Sequence, residues 1–385
     1  MANTYDAIVI GLGAMGSASL YHLAKRGQRG LGIDMYPEGH DQGSSHGEHR
    51  MIRKSAGSSS LVGTDSYVPL VARAFDLWEN LEQESGQSLM KILGEIAILA
   101  DERLAEMDIT LDDLKSNPFR ELLSEDDLRT RFPGVRIQGG VHVTYEAEAG
   151  YLRPEAGISA HLAIARKHGA EIRRPETVTG WEIDGDGVAV TTDSGRYVAD
   201  HLVIAGGAYA EELLGDLGLP LQVTRIVNGY FEPTSEHWYS ENGAPDFLLS
   251  VPEGGFYGMP ADEGVGLKIG LHYGTPTTAR TIDRTIRDEE IDFLRGVLDR
   301  YMPGASGPVV KQITCMYTMT PDEDFIVELH PEHPQVAIAC GFSGRGFKFS
   351  PTVGEIMADL VTNGSTSHDI KFLSSNRFQT VGASG

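Results

Sequence analysis

The stretch AIVIGLGAMG, residues 7–16, decides the fold of this chain. An apolar run, Ala7–Ile10, leads into the glycine pattern GLGAMG, and a helical pattern follows it as far as Gly27. A second apolar run, GLGI, then ends at Asp34. This order of strand, glycine turn, helix, strand and acid is typical of a dinucleotide-binding unit.

The three glycines and the acid have separate roles in such a unit. Gly11, Gly13 and Gly16 let the backbone approach a pyrophosphate at the N-terminus of the helix. Asp34 can accept hydrogen bonds from ribose hydroxyls. A plain tight turn is the alternative for an isolated glycine pattern, but the order and spacing here favour the dinucleotide site.

Further along the chain, helical and strand periods predict the remaining elements. A third glycine turn, GFSGRGF, follows the apolar run VAIAC and precedes a helical pattern, and Gly206-Gly207 closes a set of strand-like runs. Strands dominate residues 222–274. Helices are predicted over Val68–Leu81, Tyr151–His168 and Ile282–Tyr301, strands over Val178–Ile183, Gly187–Thr192 and His201–Ala205, and a long loop over Gly39–Gly63.

These patterns predict an α/β protein in which both ends of the chain form one Rossmann-like domain and the middle supplies a β-rich lobe. The first domain is predicted to consist of residues 1–86, 145–217 and 320–385, and the second, which holds the substrate, of residues 87–144 and 218–319.

The charge balance excludes some partners. The chain has 385 residues, 32 Lys and Arg against 55 Asp and Glu, and a net charge of −23. Such a charge repels polyanions and argues against nucleic acid or an anionic membrane surface, so an anionic ligand needs a local basic pocket. No apolar run approaches the roughly 20 residues that span a bilayer, and MANTYDAIVIGLG does not resemble a targeting signal.

Two cysteines, Cys315 and Cys340, are too few for a disulfide framework, and neither has the spacing of a zinc site. His330 and His333 flank Pro331-Glu332 but lack further converging ligands, so no metal is expected. A reducing cytoplasm is the simplest setting for such a chain.

Several segments together resemble one family, the monomeric sarcosine oxidases and N-methyltryptophan oxidases, which are flavoproteins of the D-amino-acid-oxidase-like fold. The resemblance covers essentially the whole chain. The segments are GLGAMG with Asp34, GSSHGEHRMIR, GLKIGLH, CMYTMTPDEDFIVELHP and GFSGRGFKFSPTVGE.

The resemblance implies FAD as the cofactor, held covalently by a thioether between Cys315 and the flavin 8-methyl group. For an isolated cysteine a small buried apolar side chain is the usual interpretation, and for Cys340 that interpretation stands. The residues implied to contact FAD are Gly11, Gly13, Gly16, Asp34, Ser44, Arg50, Val178, Gly207, Cys315, Gly344 and Lys348.

The resemblance also assigns the reaction centre. Arg53 and Lys348 match the positions that bind the substrate carboxylate, and Lys348 stands in the otherwise apolar GFKF; Arg53 alone could equally be a surface residue. Lys268 in GLKIG matches a lysine that promotes the reaction of reduced flavin with oxygen, its alternative being an edge-strand charge. The remaining implied site residues are Arg50 and His46 near the flavin, and Tyr257 and His272 in the substrate cavity.

This chain departs from the family pattern at several positions. Ser45 replaces a histidine, His49 a threonine and Arg345 the histidine of GFSGHG, and the segment AGSSSLVGTDS before Tyr67 is longer. The usual substrate therefore cannot be assumed, and these departures suggest an altered entrance to the site.

The favoured function is oxidation of a secondary amino acid, such as sarcosine, by oxygen in a monomeric enzyme. A related oxidase of a bulkier or cyclic amine (N-methyltryptophan, L-pipecolate or a fructosyl amino acid) is the first alternative. An NAD-dependent dehydrogenase would explain GLGAMG and Asp34 but leaves Cys315 and Lys268 unexplained. A non-catalytic flavin-binding subunit would not need Arg53, Lys268, Cys315 and Lys348 together.

Overall fold

The computed structural model describes residues 4–55, 66–136 and 139–381. Its strands are β1 (Thr4–Ile10), β2 (Gly30–Ile33), β3 (Arg50–Ile52), β4 (Met90–Ile92), β5 (Glu95–Ala100), β6 (Glu121–Leu122), β7 (Val141–Glu146), β8 (Gly150–Leu152), β9 (Glu171–Arg173), β10 (Val178–Asp184), β11 (Gly187–Thr192), β12 (Arg196–Ile204), β13 (Gln222–Phe231), β14 (Asp246–Val251), β15 (Gly254–Met259), β16 (Leu267–Leu271), β17 (Thr275–Thr277), β18 (Val309–Met319), β19 (Ile326–Leu329) and β20 (Val336–Cys340). Its helices are α1 (Ala14–Lys25), α2 (Val68–Ser85), α3 (Asp101–Glu106), α4 (Leu111–Ser116), α5 (Glu125–Arg131), α6 (Pro154–Lys167), α7 (Ala210–Leu213), α8 (Asp288–Tyr301) and α9 (Ser350–Asn363).

The first sheet is built around β1, which pairs in parallel with β12 and β2. β9 and β20 extend the parallel part, while β10, β11 and β19 add antiparallel strands. Ala7 and Val9 face a core formed with α1, α2, α6 and α9, and Ile8 and Ile10 face a second core on the opposite side. Burial on both faces explains why the parallel strands are continuous apolar runs.

The turn between β1 and α1 requires its glycines. Gly11 has φ +83°, and a Cβ there would lie 2.5 Å from the carbonyl oxygen of Ala205. A Cβ on Gly16 would lie 1.7 Å from the carbonyl oxygen of Gly11. Larger residues would therefore push the turn away from β12, which confirms the predicted strand–turn–helix unit.

The second sheet has the order β17-β13-β16-β15-β14-β5-β7-β6, with β18 also paired to β13. Leu294 and Leu298 of α8 pack on its apolar face against Phe231 and Ile269. A small third sheet has the order β3-β8-β4, and in it Arg50 of β3 pairs with β8. The central position of β16 in the second sheet places Lys268 between two partner strands.

The structure corrects some predicted elements. The helix predicted over Ile282–Tyr301 begins only at Asp288, because Arg225 binds the carbonyl oxygens of Asp283 and Thr285 at 2.6 Å each and holds that segment extended. The helix predicted from Tyr151 begins at Pro154, since residues 150–152 pair as β8.

Two other predictions are also revised in part. The strand predicted from His201 begins at Arg196, where it completes a hairpin with β11. The long loop predicted over Gly39–Gly63 contains β3, and its part from 56 to 63, like most of AGSSSLVGTDS, lies outside the described residues.

The first sheet draws its strands from residues 4–33, 171–204 and 326–340, and the second from 95–146 and 222–319. The domain boundaries themselves stay a prediction. No helix within the described ranges is both long and apolar enough to cross a membrane.

Candidate functional site

A cavity of about 750 Å³ opens at the carboxyl ends of β1 and β2, the place where parallel α/β sheets bind nucleotides. Residues from four predicted segments meet in its wall. Those predicted to contact the cofactor and found there are Gly11, Gly13, Asp34, Ser44, Arg50, Val178, Gly207 and Gly344. Gly16 packs behind the turn, and Cys315 and Lys348 lie outside the residues that line the cavity.

Asp34 organises the dinucleotide end of this cavity. Its carboxylate accepts hydrogen bonds from the backbone N–H of Leu12 at 2.7 Å and of Tyr36 at 2.9 Å. Each carboxylate oxygen keeps a second lone pair for a ribose hydroxyl. Gly13 caps α1 without a side chain, so the amides of the first turn face a phosphate site, with one of them, that of Ala14, also donating to Ser45 Oγ at 3.4 Å. The described cavity therefore suits a dinucleotide.

A loop before β3 wraps its carbonyl oxygens around two cations. Arg50 donates to the carbonyl oxygens of Ser44 at 2.9 Å, His46 at 2.5 Å and His49 at 2.9 Å. The side chain of Arg50 lines the cavity. This loop therefore fixes a positive charge at the cavity wall.

Lys268 is the second cation held by this loop. It is 1% exposed, and its Nζ donates to the carbonyl oxygens of Gly47 and His49 at 2.9 Å each. Its strand is central, which excludes the edge-strand alternative. Burial and, next, the charge of Arg50 lower the pKa of Lys268 well below its usual value.

His46 lies in the same loop. Its Nε2 is 3.0 Å from the carbonyl oxygen of Thr314, the residue before Cys315. Burial and then the charge of Arg50 lower the pKa of His46 to about 4, so the ring is neutral at neutral pH. His46 therefore connects the loop to β18 without adding charge.

Cys315 lies on β18, buried and with a free thiol. The amide of Asn228 on the neighbouring strand β13 is 3.7 Å from its Sγ, and the same amide accepts a 2.7 Å hydrogen bond from the Tyr257 hydroxyl. Tyr317 stands two residues further along β18, on the same face as Cys315. Tyr317 also lines the cavity.

Three rings, Tyr257, His272 and Tyr317, form one wall. The His272 ring centre lies 6.4 Å from that of Tyr257 and 5.7 Å from that of Tyr317. Gly344 allows the close approach of Tyr317, since a Cβ there would lie 2.3 Å from the tyrosine ring. Burial, then the neighbouring cations Arg345, Arg53 and Lys348, in that order, lower the pKa of His272 to about 4.

The two cations predicted to bind a carboxylate differ in their hydrogen-bond and ion-pair partners. Arg53 is buried, donates to the Ser55 carbonyl oxygen at 2.8 Å and pairs with Glu95 at 3.2 Å. Glu95 also pairs with Arg120, so Arg53 belongs to a buried ionic network. Lys348 is 6% exposed and donates to the carbonyl oxygen of Arg345 at 3.0 Å.

Sequence reasoning missed several residues of this region. Tyr317 stands inside the recognised CMYT motif, which was a usable signal, whereas Asn228, Glu95 and Arg120 lie in stretches without a motif. They become visible only once strand pairing brings them beside Cys315 and Arg53.

The structure also shows the surroundings of the residues that depart from the family pattern. Ser45 Oγ accepts a 3.4 Å hydrogen bond from the backbone N–H of Ala14 at the start of α1. His49 turns its ring toward Tyr151, with ring centres 4.1 Å apart, and burial first lowers its pKa to about 3. Arg345 lies beside His272 and Lys348. Among the described residues no three His, Cys, Asp or Glu side chains converge as a metal site.

Known proteins match the chain over its whole length. A glycine oxidase from Geobacillus kaustophilus shares the fold with a TM-score of 0.79 and 22% identity, over 97% of this chain and 99% of that one. Monomeric sarcosine oxidase of Streptomyces avermitilis is 38% identical over 100% of both chains. N-methyl-L-tryptophan oxidase of Salmonella agona is 33% identical over 97% of this chain and 99% of the relative.

The family model described as FAD dependent oxidoreductase (DAO) matches residues 6–360. That span contains both large sheets, the cavity and every residue of the predicted reaction centre. The chain therefore belongs to the DAO family of FAD-dependent oxidoreductases and is a flavoprotein amine oxidase.

Proposed function

We propose that the enzyme oxidises a secondary amino acid that carries an N-methyl group, with sarcosine as the simplest case. The observation that carries this proposal is Lys348, a buried amine that forms no ion pair with any described carboxylate and whose pKa is lowered well below its usual value by burial and then by Arg53. A buried charge without a counter-ion is costly, so the site is suited to an anionic ligand. Arg53 adds a second cation near the same wall.

The overall reaction is R–NH–CH3 + O2 + H2O → R–NH2 + HCHO + H2O2, which for sarcosine gives glycine. Bound FAD supplies the two-electron acceptor, with Gly11, Asp34, Ser44 and Gly207 as the residues that would hold it. Arg53 and Lys348 bind the carboxylate and so orient the N-methyl carbon. Tyr257 keeps its proton, because burial raises its pKa, and His272 stays neutral.

Lys268 is proposed to assist the reaction with oxygen. Two carbonyl oxygens accept hydrogen bonds from its Nζ and favour the ammonium form, against the burial that lowers its pKa. When protonated, this group would stabilise an anion that forms as oxygen is reduced.

Cys315 is proposed to carry FAD covalently. The bond would join Sγ to the 8-methyl carbon, with loss of the thiol hydrogen and one methyl hydrogen and transfer of two electrons to oxygen. The buried position beside the cavity-lining Tyr317 supports this proposal. Acid precipitation tests it: the pellet of the wild type should stay yellow, while Cys315→Ser should release its colour into the supernatant. Colour released by both proteins would contradict the covalent bond.

Anaerobic bleaching of the flavin absorbance tests the substrate class. Sarcosine, L-pipecolate, N-methyl-L-tryptophan and a fructosyl amino acid should be compared, with Lys348→Ala as the variant that lacks the unpaired cation. Rapid bleaching by an N-methyl amino acid, weakened in the variant, supports the proposal. Bleaching by the cyclic or fructosyl amine alone would replace it with that alternative. The monomeric state and cytoplasmic location stay predictions.

A further inference from the structure

Arg345, one of the departures from the family pattern, is held against the proposed carboxylate site. Its backbone N–H donates to the carbonyl oxygen of Phe342 at 2.9 Å, and its own carbonyl oxygen accepts from Lys348 Nζ at 3.0 Å. The 3-10 turn Phe347–Phe349 follows at once. Arg345 lies two residues before this turn, and the hydrogen bond from Lys348 Nζ to its carbonyl oxygen joins the two residues.

The guanidinium group of Arg345 keeps donors unused. Its Nη2 donates to the carbonyl oxygen of Glu323 at 2.6 Å. Its Nε is buried and has no hydrogen-bond partner among the described residues, and the group forms no ion pair with a described carboxylate. An arginine has five N–H donors, and leaving a buried charged donor unpaired is unfavourable. The enclosed Nε is closed to a ligand, whereas Nη1 is not enclosed and has no hydrogen-bond partner among the described residues, so Nη1 is the donor available to a ligand.

A count of the ion pairs around the site also leaves Arg345 without a partner. Arg53 and Arg120 share two buried carboxylates, Glu95 and Glu146. Lys348 and Arg345 form no ion pair with a described acid, although Glu95 and Glu146 act on Lys348, and Asp324 interacts with Arg345, at longer range. One substrate carboxylate can pair with one of these two side chains, so the other still lacks an ion-pair partner.

Arg345 also lies between the inner wall and the surface. It is half-buried, and after burial its charge is the largest influence that lowers the pKa of His272. Its charge also acts on Tyr273, a half-exposed ring beside His272. Burial and then Glu323 raise the pKa of Tyr273, and Arg345 partly opposes this rise. A ligand group that reaches Arg345 therefore points outward from the reaction centre.

We propose that Arg345 forms a second anion-binding position and that the preferred substrate is an N-methyl amino acid whose side chain ends in a carboxylate. This inference rests on the proposed function, because it requires the first carboxylate to be bound by Arg53 and Lys348. The added carboxylate would accept charge-assisted hydrogen bonds from the N–H groups of Nη1.

Anaerobic stopped-flow bleaching of the holoenzyme tests the preference. N-methyl-L-aspartate and N-methyl-L-glutamate should each be compared with the corresponding side-chain amide, which has nearly the same shape without the charge. In the wild type at least one diacid should reach half-maximal bleaching at a concentration at least about tenfold below that of its amide. Arg345→Met should abolish this difference between diacid and amide, and Arg345→Lys should restore part of it.

Arg196→Met serves as the matched control, because Arg196 is a half-exposed arginine that pairs with Glu182 and Asp184 on the β10–β12 sheet edge. It should leave the diacid preference unchanged. Thermal midpoints of all variants show that each is folded.

Binding of thioethers provides a readout without turnover. 2-(Methylthio)succinate and 2-(methylthio)propionate have sulfur in place of the amine nitrogen and cannot form an imine. Calorimetry should give at least about tenfold tighter binding of the diacid to wild type and equal binding to Arg345→Met.

The outcomes separate the two proposals. Bleaching by sarcosine with no diacid preference in either assay would overturn the inference and leave the proposed function standing. A preference of the thioether diacid that depends on Arg345, without bleaching by any N-methyl amino acid, would support the second anion position and overturn the reaction. Failure of both assays would overturn both.

Discussion

Replacement of Glu95 by glutamine tests the buried network behind Arg53. Glu95 is 0% exposed and accepts hydrogen bonds from Arg53 at 3.2 Å and from Arg120 Nη1 at 2.8 Å. Its nearest strand partner, Asp246, is fully buried, and burial and then Glu95 raise the pKa of Asp246 well above its usual value. Burial thus disfavours the charged form of Asp246, and Glu95 is the carboxylate that lies between the two arginines.

Glu95→Gln keeps the shape of the side chain and removes this charge. Arg120 then retains only Glu146, 3.9 Å away, and Arg53 loses its ion pair with Glu95. Removing one partner of a buried ion pair costs about 3–5 kcal/mol, because the other charge stays buried. For a chain of 385 residues that loss lowers the thermal midpoint by roughly 4–6 °C.

Calorimetric melting of the holoenzyme near pH 7.5 measures the loss, with Glu148→Gln as the control. Glu148 pairs with Lys54 but is 66% exposed, so its replacement should change stability by no more than about 0.5 kcal/mol. Equal midpoints for the two glutamine variants would refute the buried network.

A double-variant cycle tests the same network without relying on absolute stability. Arg120→Met alone leaves Glu95 with one fewer partner, whereas Glu95→Gln combined with Arg120→Met removes a positive and a negative charge together. The combined loss should therefore be at least about 1–2 kcal/mol smaller than the sum of the single losses. Additive losses would show that the two charges do not interact.

Other predictions concern the remaining charged groups. Lys348→Ala should weaken sarcosine binding by about 10–100-fold in anaerobic titration, and the exposed-site control Lys371→Ala should not. Lys268→Met should slow reoxidation by oxygen much more than flavin reduction in stopped flow; equal slowing would contradict its assignment. Acid should destabilise the fold through buried histidines whose pKa is lowered, mainly by burial, to about 4 (His22, His46) or about 3 (His49, His161). Their folded pKa lies below the unfolded value of 6.5, so this stability is complete above about pH 6.5 and falls as the pH drops toward 4. His161→Gln should therefore make the melting midpoint depend less steeply on pH. An unchanged pH dependence would show that His161 does not cause the acid destabilisation.

The dinucleotide fold was predictable because its rules are local. Gly11 and Gly16 are required because a Cβ at either position would lie only 2.5 or 1.7 Å from a backbone carbonyl oxygen, and this requirement is visible directly in the sequence pattern. The start of α8 was not predictable in the same way. Residues 282–287 have a helical pattern, but Arg225, remote in sequence, occupies two of their carbonyl oxygens.

In the reaction centre, too, some features were predictable from the local sequence and others depended on residues remote in sequence. Lys268 and Lys348 stood out because each is a charge among apolar residues, and both are buried in the structure. The network of Glu95 with Arg120 was missed, since neither residue interrupts a pattern and their meeting depends on the pairing of β5 with β7 and on the loop beside it.

The strong negative charge of the chain and the cations of its site are compatible because they act over different distances. Surface charges that give the net −23 are screened within about 8 Å at physiological ionic strength, whereas buried Lys348 and half-buried Arg345 act on a ligand in direct contact, where screening is weak. Sarcosine is a zwitterion without net charge, so the surface neither attracts nor repels it strongly. A substrate with a second carboxylate carries a net negative charge that the surface repels only within this screening distance, and the cation that Arg345 supplies near the surface offsets this repulsion.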